Sequence, residues 1–305
     1  MRTIVVGLGI QGNKRLLIAG TEAVATVDPV NPGANYKSIY DVPLDSYDSA
    51  LVCTPDQAKF ELLSYFLEKG KHVMVEKPLL TANPREIEKL EALSKKNQTT
   101  CYTAYNHRFE PHLVNLKKLV ESGELGNIYM ARFFYGNGTA RDVRNSVWRD
   151  KGAGVLPDLG SHLLDTALFV FGDLGANTFE PWSFDRFENQ SFDHVLFGSR
   201  NTKMVLSFEA TLLSWRNSFF ADVYAEKGSA HIDCLCKWGP STLRVRKRIL
   251  PSGRPTETSD VLEMKDPTWA LEYEHFKKLC QVKQSNLAND RWINSVLNDL
   301  ANRTL

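Results

Sequence analysis

The stretch that most limits what this chain can become is Val5 to Gly12, Val-Val-Gly-Leu-Gly-Ile-Gln-Gly. In it Gly7, Gly9 and Gly12 stand in G-x-G-x-x-G spacing between a β-branched run (Thr3 to Val6) and a helix-compatible one (Ile10 to Ala19). A strand that turns at once into a helix needs a residue tolerant of positive φ at Gly7. The missing side chain at Gly9 lets the first-turn N–H groups, those of Ile10 and Gln11 among them, approach a pyrophosphate at the positive end of the helix. Gly12 lets helix and strand pack closely. Glycine-rich turns without a ligand are common, so the context carries the reading. A second apolar strand, Ala23 to Val27, ends in Asp28, about twenty residues beyond the glycines, where a carboxylate can accept hydrogen bonds from both ribose hydroxyls. No Arg or Lys follows Asp28 until Lys37, so a 2′-phosphate would meet a carboxylate without a nearby counter-charge; this favours NAD over NADP.

Beyond Asp28, Pro29 to Asp48 is rich in Pro, Gly, Asn and Asp and offers no crossover helix, only a small edge strand at Tyr36 to Tyr40. Alternation then resumes: strand Ala50 to Cys53, helix Gln57 to Leu67 closed by Gly70, strand His72 to Val75, helix Pro84 to Lys96, strand Thr100 to Ala104. That order predicts an α/β unit, a doubly wound parallel sheet with helices on both faces, over residues 1–108. From about residue 109 strands dominate: Ile128 to Tyr135, Val195 to Gly198, Lys203 to Thr211, Phe219 to Ala225, Ala230 to Asp233 and Leu243 to Ile249. Helices are expected at Pro111 to Ser122 and Asp158 to Phe171, with two amphipathic ones at the end of the chain, and residues 109–305 read as an α+β domain.

The 305 residues carry a net charge of +1, which provides no field to attract nucleic acid or an anionic membrane. Five scattered cysteines form neither a disulfide framework nor a zinc spacing, so no metal is expected. With no signal peptide and no apolar run of membrane-spanning length, the chain reads as cytoplasmic.

In an open parallel sheet ligands sit beyond the carboxyl ends of the strands. That places Thr54-Pro55, Glu76-Lys77-Pro78 and Tyr105-Asn106-His107-Arg108 near the cofactor. Lys77, before a proline, is biased to extended backbone and projects from a strand end, with Glu76 beside it to orient the ammonium. A lysine at a strand end is usually solvated and idle. A second cluster, Gly152-Ala-Gly-Val-Leu-Pro-Asp158-Leu-Gly-Ser-His162-Leu-Leu-Asp165, puts three ionisable groups at i, i+4 and i+7 on one face of a largely apolar helix. Singly, each has a structural explanation: a first-turn acid, a satisfied core histidine, a salt-bridge partner. Together they suggest a carboxylate that holds an imidazole in place.

The Gly7-x-Gly9-x-x-Gly12 turn, Cys53-Thr54-Pro55, Glu76-Lys77-Pro78, Asn106-His107-Arg108-Phe109, Trp148-Arg149 and Asp158-x-Gly160-x-His162-x-x-Asp165 together resemble the glucose-fructose oxidoreductase and inositol dehydrogenase family. The shortened segment after Asp28 departs from its pattern. The resemblance implies an N-terminal dinucleotide fold and a C-terminal α+β domain whose open, mainly antiparallel sheet often mediates homodimers or homotetramers. It implies hydride transfer between a nicotinamide and a secondary alcohol of a sugar, nucleotide-linked sugar or cyclitol, with Lys77, Asp158 and His162 at the catalytic positions. Substrate contacts are expected from Lys77, Asn106, Tyr135, Asn137, Trp148, Arg149, Asp158, His162 and Asp165. Cofactor contacts are expected from Gly7, Gly9, Ile10, Gln11, Gly12, Asp28, Thr54, Pro55, Glu76, Lys77 and Asn106. Either His162 or Lys77 can serve as the base. A non-catalytic NAD-dependent regulator and an NAD-dependent glycosidase are the rival readings, and the redox reading requires Lys77 and His162 to act at one nicotinamide ring.

Overall fold

The computed structural model describes residues 1–81, 83–146, 149–175, 178–199 and 204–305. It divides into two compact units, Met1–Asn106 with Thr268–Ser295, and His107–Pro267 with Val296–Leu305.

The first unit opens with β1 (Thr3–Val6), α1 (Ile10–Ala19), β2 (Ala23–Val27), β3 (Ser49–Val52), α2 (Asp56–Glu68), β4 (His72–Glu76), α3 (Pro84–Lys96) and β5 (Cys101–Ala104). Its five strands are parallel in the order β2-β1-β3-β4-β5. The order reverses direction at β1, so the switch point lies where β1 and β3 end, at Gly7 and Cys53. The period-2 pattern of the strands divides the core in two. Ile4, Val6, Val52, Val73 and Val75 pack with Leu63, Phe66, Leu67 of α2 and Ile87, Leu90 of α3. Val5, Leu51 and Met74 point to the opposite face.

The second unit contains α4 (Pro111–Glu121), β6 (Ile128–Gly136), α5 (Ala140–Arg144), α6 (Ser161–Phe171) and seven further strands. These are β7 (Glu180–Asp185), β8 (His194–Ser199), β9 (Val205–Thr211), β10 (Ser218–Ala225), β11 (Gly228–Asp233), β12 (Ser241–Lys247) and β13 (Thr256–Leu262). They form one sheet, β13-β12-β11-β10-β6-β9-β8-β7, antiparallel throughout except for the parallel β6–β9 pair. Phe133, Phe197 and Phe208 are buried on one face, with Phe208 stacked on Phe133 at 5.6 Å and on Phe197 at 5.2 Å.

The chain ends in α7 (Thr268–Val282) and α8 (Leu287–Thr304). The first break in packing, after Asn106, lies close to the expected cut at residue 108, but Thr268–Ser295 returns to the first unit. Tyr273, Phe276 and Cys280 of α7 cover Val5, Leu51, Met74 and Tyr102, which completes the second face of the parallel sheet.

Several expected elements change form. Tyr36 to Tyr40 is no strand: Tyr36 makes a single bridge to Val27, and Ile39–Asp41 is a 3-10 turn. Asn35 explains this, because its Oδ1 accepts from both the N–H and the hydroxyl of Thr26 and so takes over the edge of β2. The expected helix from Asp158 starts instead with a wide π-turn, Leu156–Gly160, before α6. β7, β13 and α5 went unexpected: β7 contains Pro181, and β13 is an almost wholly exposed edge strand with no apolar alternation. Lys203, the expected start of β9, lies outside the described residues. Among the described residues, no helix is long and apolar enough to cross a membrane, and no group of three or more His, Cys, Asp or Glu comes together as a metal site.

Candidate active site

In the first unit the turn after β1 is built as the glycines demand. Gly7 has φ +88° and donates its N–H to the Val27 carbonyl at 2.8 Å; a Cβ there would lie 2.7 Å from the Cys53 carbonyl oxygen. A Cβ on Gly12 would lie 1.8 Å from the Gly7 carbonyl oxygen, so only glycine permits this approach of α1 to the turn. Around Gly9 there is nothing within 4 Å of the Cβ position. α1 has no side-chain cap and no acidic residue in its first turn, so the N–H groups of Ile10, Gln11 and Gly12 are left for an anion.

Asp28 follows β2 and is already clasped. Its Oδ2 accepts the Leu8 N–H at 2.7 Å, and its Oδ1 accepts those of Val30 and Asn31, each at 2.8 Å. Donation from Asn31 and then Leu8 holds the carboxyl below the usual carboxylate range. It is therefore an oriented anion with lone pairs left to accept ribose hydroxyls. Thr54 closes over the same turn, with its Cγ2 3.3 Å from the Gly7 Cβ position, and its buried Oγ1 has no partner among the described residues. Pro55 caps α2 and is exposed. These features suit a dinucleotide: an open approach to a bare helix end, an oriented acid for ribose and an unused hydroxyl.

Lys77 is half-buried just past β4 and joined to Pro78 by a cis peptide. The Glu76 carboxylate is taken by a buried cation that the sequence reading missed. Arg15, 1% exposed, donates from Nε to Glu76 at 2.6 Å and from Nη2 to Glu272 of α7 at 2.7 Å, and its guanidinium lies over the Trp269 ring at 4.3 Å. Burial alone would weaken the proton affinity of Arg15, but Glu272 and Glu76 more than offset this and raise it. Lys59 of α2 holds the backbone of the same turn. Asn106 is buried, its amide donating to the Thr268 hydroxyl at 2.8 Å.

In the second unit His162, 6% exposed, stacks on His107 with ring centres 4.2 Å apart. Tyr135 meets both rings, at 5.8 Å from His162 and 5.3 Å from His107, and Trp238 lies against Tyr135 at 5.3 Å. Trp238 reaches this place because Glu110 accepts the Cys236 N–H at 3.1 Å and fixes the loop. The Tyr135 hydroxyl is pushed up first by burial and then by the charge of Asp158, so it remains a donor. Asp158 is half-buried in the π-turn, with Arg149 at 3.8 Å. Asp158 lies in the π-turn, while His162 and Asp165 lie on α6 itself, where they meet the adjacent residues His107 and Arg108. Asp165, 0% exposed, is gripped in a fork by Arg108 at 2.6–3.0 Å. Burial raises its carboxyl and the guanidinium opposes the rise. It serves as the anchor of Arg108, not as an open substrate contact. Asn137 is similarly committed: its Oδ1 accepts the N–H and hydroxyl of Thr139 ahead of α5. Trp148 lies outside the described residues. Arg246 of β12 pairs with Glu257 of β13 at 2.7 Å, and Arg248, just past β12, donates to the Glu226 carbonyl.

Residues 1–105 match the profile of the oxidoreductase family with an NAD-binding Rossmann fold, and residues 113–231 match the GFO/IDH/MocA C-terminal domain. Scyllo-inositol 2-dehydrogenase (NADP+) of Bacillus subtilis is 32% identical over 125 residues, 40% of this chain and 34% of the relative. D-glucoside 3-dehydrogenase of Escherichia coli is 31% identical over 152 residues, 47% of this chain and 41% of the relative. The matched stretch thus spans about a third to two fifths of the length of these curated relatives. In fold the likeness runs the full length: a levoglucosan dehydrogenase in complex with NADH and levoglucosan superposes with a TM-score of 0.83 at 19% identity, covering 99% of this chain and 96% of the other. The chain belongs to the glucose-fructose oxidoreductase and inositol dehydrogenase (GFO/IDH/MocA) family, and its N-terminal unit is that family's NAD-binding Rossmann domain.

Proposed function

We propose that this protein is an NAD-dependent oxidoreductase acting on a secondary alcohol of a sugar, free or nucleotide-linked, or of a cyclitol. The observation that carries the reading is the bare start of α1 beneath Gly9 beside the clasped Asp28, in the unit that also presents Lys77 at a strand end. When bound, NAD supplies the hydride acceptor. The work left to the protein is to move the hydroxyl proton and hold the oxygen that keeps the developing charge. His162 suits the first task, since an imidazole takes up and returns a proton near neutral pH and its ring plane is fixed by His107 and Tyr135. Lys77 suits the second, as a point-charge donor at the reacting oxygen, with Asp158 orienting both. Tyr135, Asn106 and Arg149 are the polar groups for the remaining hydroxyls, and Trp238 adds an aromatic face of the kind on which sugar rings stack. Asp28 supports NAD over NADP, although one relative is named for NADP+. The same reading includes assembly of two or four copies through the exposed face of the eight-stranded sheet, which carries the stacked Phe134–Phe220 pair, and sedimentation tests it.

The test is incubation with NAD and a panel of free sugars, nucleotide-linked sugars and cyclitols, following absorbance of the reduced cofactor. Net NADH supports the proposal; sugar release without net NADH would indicate a glycosidase, and neither would leave a binding protein. Lys77→Ala and His162→Ala should each lower kcat by about 10²–10⁴-fold while NADH affinity holds. Undiminished turnover in either would refute its assignment.

A further inference from the structure

We propose that Lys59 is a positioning residue for Lys77, an inference that rests on the reading of Lys77 as the donor at the reacting oxygen. Lys59 lies one turn into α2 and is 3% exposed, though nothing about a lysine requires burial. Its ammonium makes three contacts, each at 2.7 Å: the Asp56 carboxylate, the Glu76 carbonyl and the Pro78 carbonyl. An ammonium has three donors and no acceptor, so this cation is fully occupied. It cannot serve as a base or bind a ligand without releasing the turn.

The two carbonyls it holds belong to the residues on either side of Lys77. The peptide plane before the lysine and the one after Pro78 are therefore tied to α2 through one charge. From the other direction Arg15 fixes the Glu76 side chain. The backbone on both sides of Lys77 is thus held in place. Burying an ammonium is costly, and an apolar side chain on this stripe of α2 would avoid that cost. A neutral residue would, however, leave two strand-end carbonyls to wander, and with them the root of Lys77. Misplacement by about 1 Å is enough to lower a rate by about a hundredfold.

Two readouts test this in the intact protein. Hydrogen exchange, measured without ligand on the peptide spanning residues 75–81, should quicken by about tenfold at the Lys77 and Leu79 amides in Lys59→Met while β1 and β3 exchange as in wild type. In turnover the same variant should lose about 10- to 100-fold in kcat, with KM and NADH affinity little changed. A merely structural role predicts the opposite split: a lower Tm, with kcat per folded molecule and exchange at 77–79 unmoved. That result, with Lys77→Ala inactive, would overturn the clamp alone. Undiminished turnover of Lys77→Ala would instead overturn the parent reading, and the positioning role with it. Should Lys59→Met not accumulate as folded protein, Lys59→Gln, which keeps one donor, is read by the same two measurements.

Discussion

Gly12 and Gly9, three residues apart, should respond to the same substitution in opposite ways. A methyl on Gly12 would arrive 1.8 Å from the Gly7 carbonyl oxygen, whereas ordinary contact begins at 3.4 Å, so α1 and the turn must separate by about 1.6 Å. The neighbour is backbone and cannot rotate aside. Gly7 cannot yield either, since it is hydrogen-bonded to Val27 and itself lies against the Cys53 carbonyl. Overpacking of this kind costs about 1–3 kcal/mol, and with backbone on both sides Gly12→Ala should reach about 3 kcal/mol in urea denaturation. It should also lose NADH binding, because the start of α1 is displaced. Gly9 has φ −72° and ψ −167°, which any residue adopts, and open space at its Cβ position. Gly9→Ala should therefore cost only about 1 kcal/mol of stability, the loss expected when alanine replaces glycine at an N-cap. Its methyl would nonetheless stand where the pyrophosphate must approach, so NADH affinity by fluorescence titration should fall at least about tenfold, roughly 1.4 kcal/mol. An unchanged Kd in Gly9→Ala would refute the phosphate-binding role of the turn. Wild-type stability in Gly12→Ala would refute the packing account.

Asp28→Asn should narrow the preference for NADH over NADPH, read by parallel titrations; an unchanged ratio would refute the ribose-recognition account. Because the folded-state pKa of Asp28 is depressed, its contribution to stability is present above the unfolded value of about 3.9 and lost as pH falls through the folded one. The same variant should consequently flatten the decline of Tm below about pH 4, and an acid limb identical to wild type would count against the clasp. Asp165→Ala leaves Arg108 without its carboxylate and should destabilise by about 3 kcal/mol in urea, the lower end for a broken buried pair because Arg108 is partly exposed. A change below about 1 kcal/mol would show that the pair is not an anchor.

Periodicity made the parallel sheet legible because buried strands and amphipathic helices repeat at 2 and 3.6 residues; α1 and α3 match their expected bounds. What escaped was long-range pairing. Arg15 lies on the buried stripe of α1 with Gly12 and Ala19, and Lys59 on that of α2 with Leu63, Phe66 and Leu67. A cation at a core position was thus a visible signal, but its carboxylate or carbonyl partners lie far along the chain and have no local trace. Asp165 was misjudged for the same reason, since Arg108 is 57 residues away. Spacing alone put Asp158 on a regular helix; the π-turn depends on backbone hydrogen bonding, which residue types at these positions do not dictate. The edge strands β7 and β13 lack the one-sided apolar pattern that reveals a strand, because one or both of their faces meet water.

The return of α7 to the parallel sheet has a consequence for how the protein is made. Tyr273 and Phe276 cover one face of strands completed by residue 104, and Glu272 neutralises Arg15 inside that core. During synthesis the nucleotide-binding unit therefore emerges first yet stays uncovered on one side while the whole intervening unit is translated. At roughly 5–20 residues per second that interval lasts about 8–33 s, long enough for residues 107–267 to begin folding before the first unit is complete. A fragment ending near residue 108 would display Val5, Leu51, Met74 and Tyr102 to solvent, and would aggregate where the full chain does not.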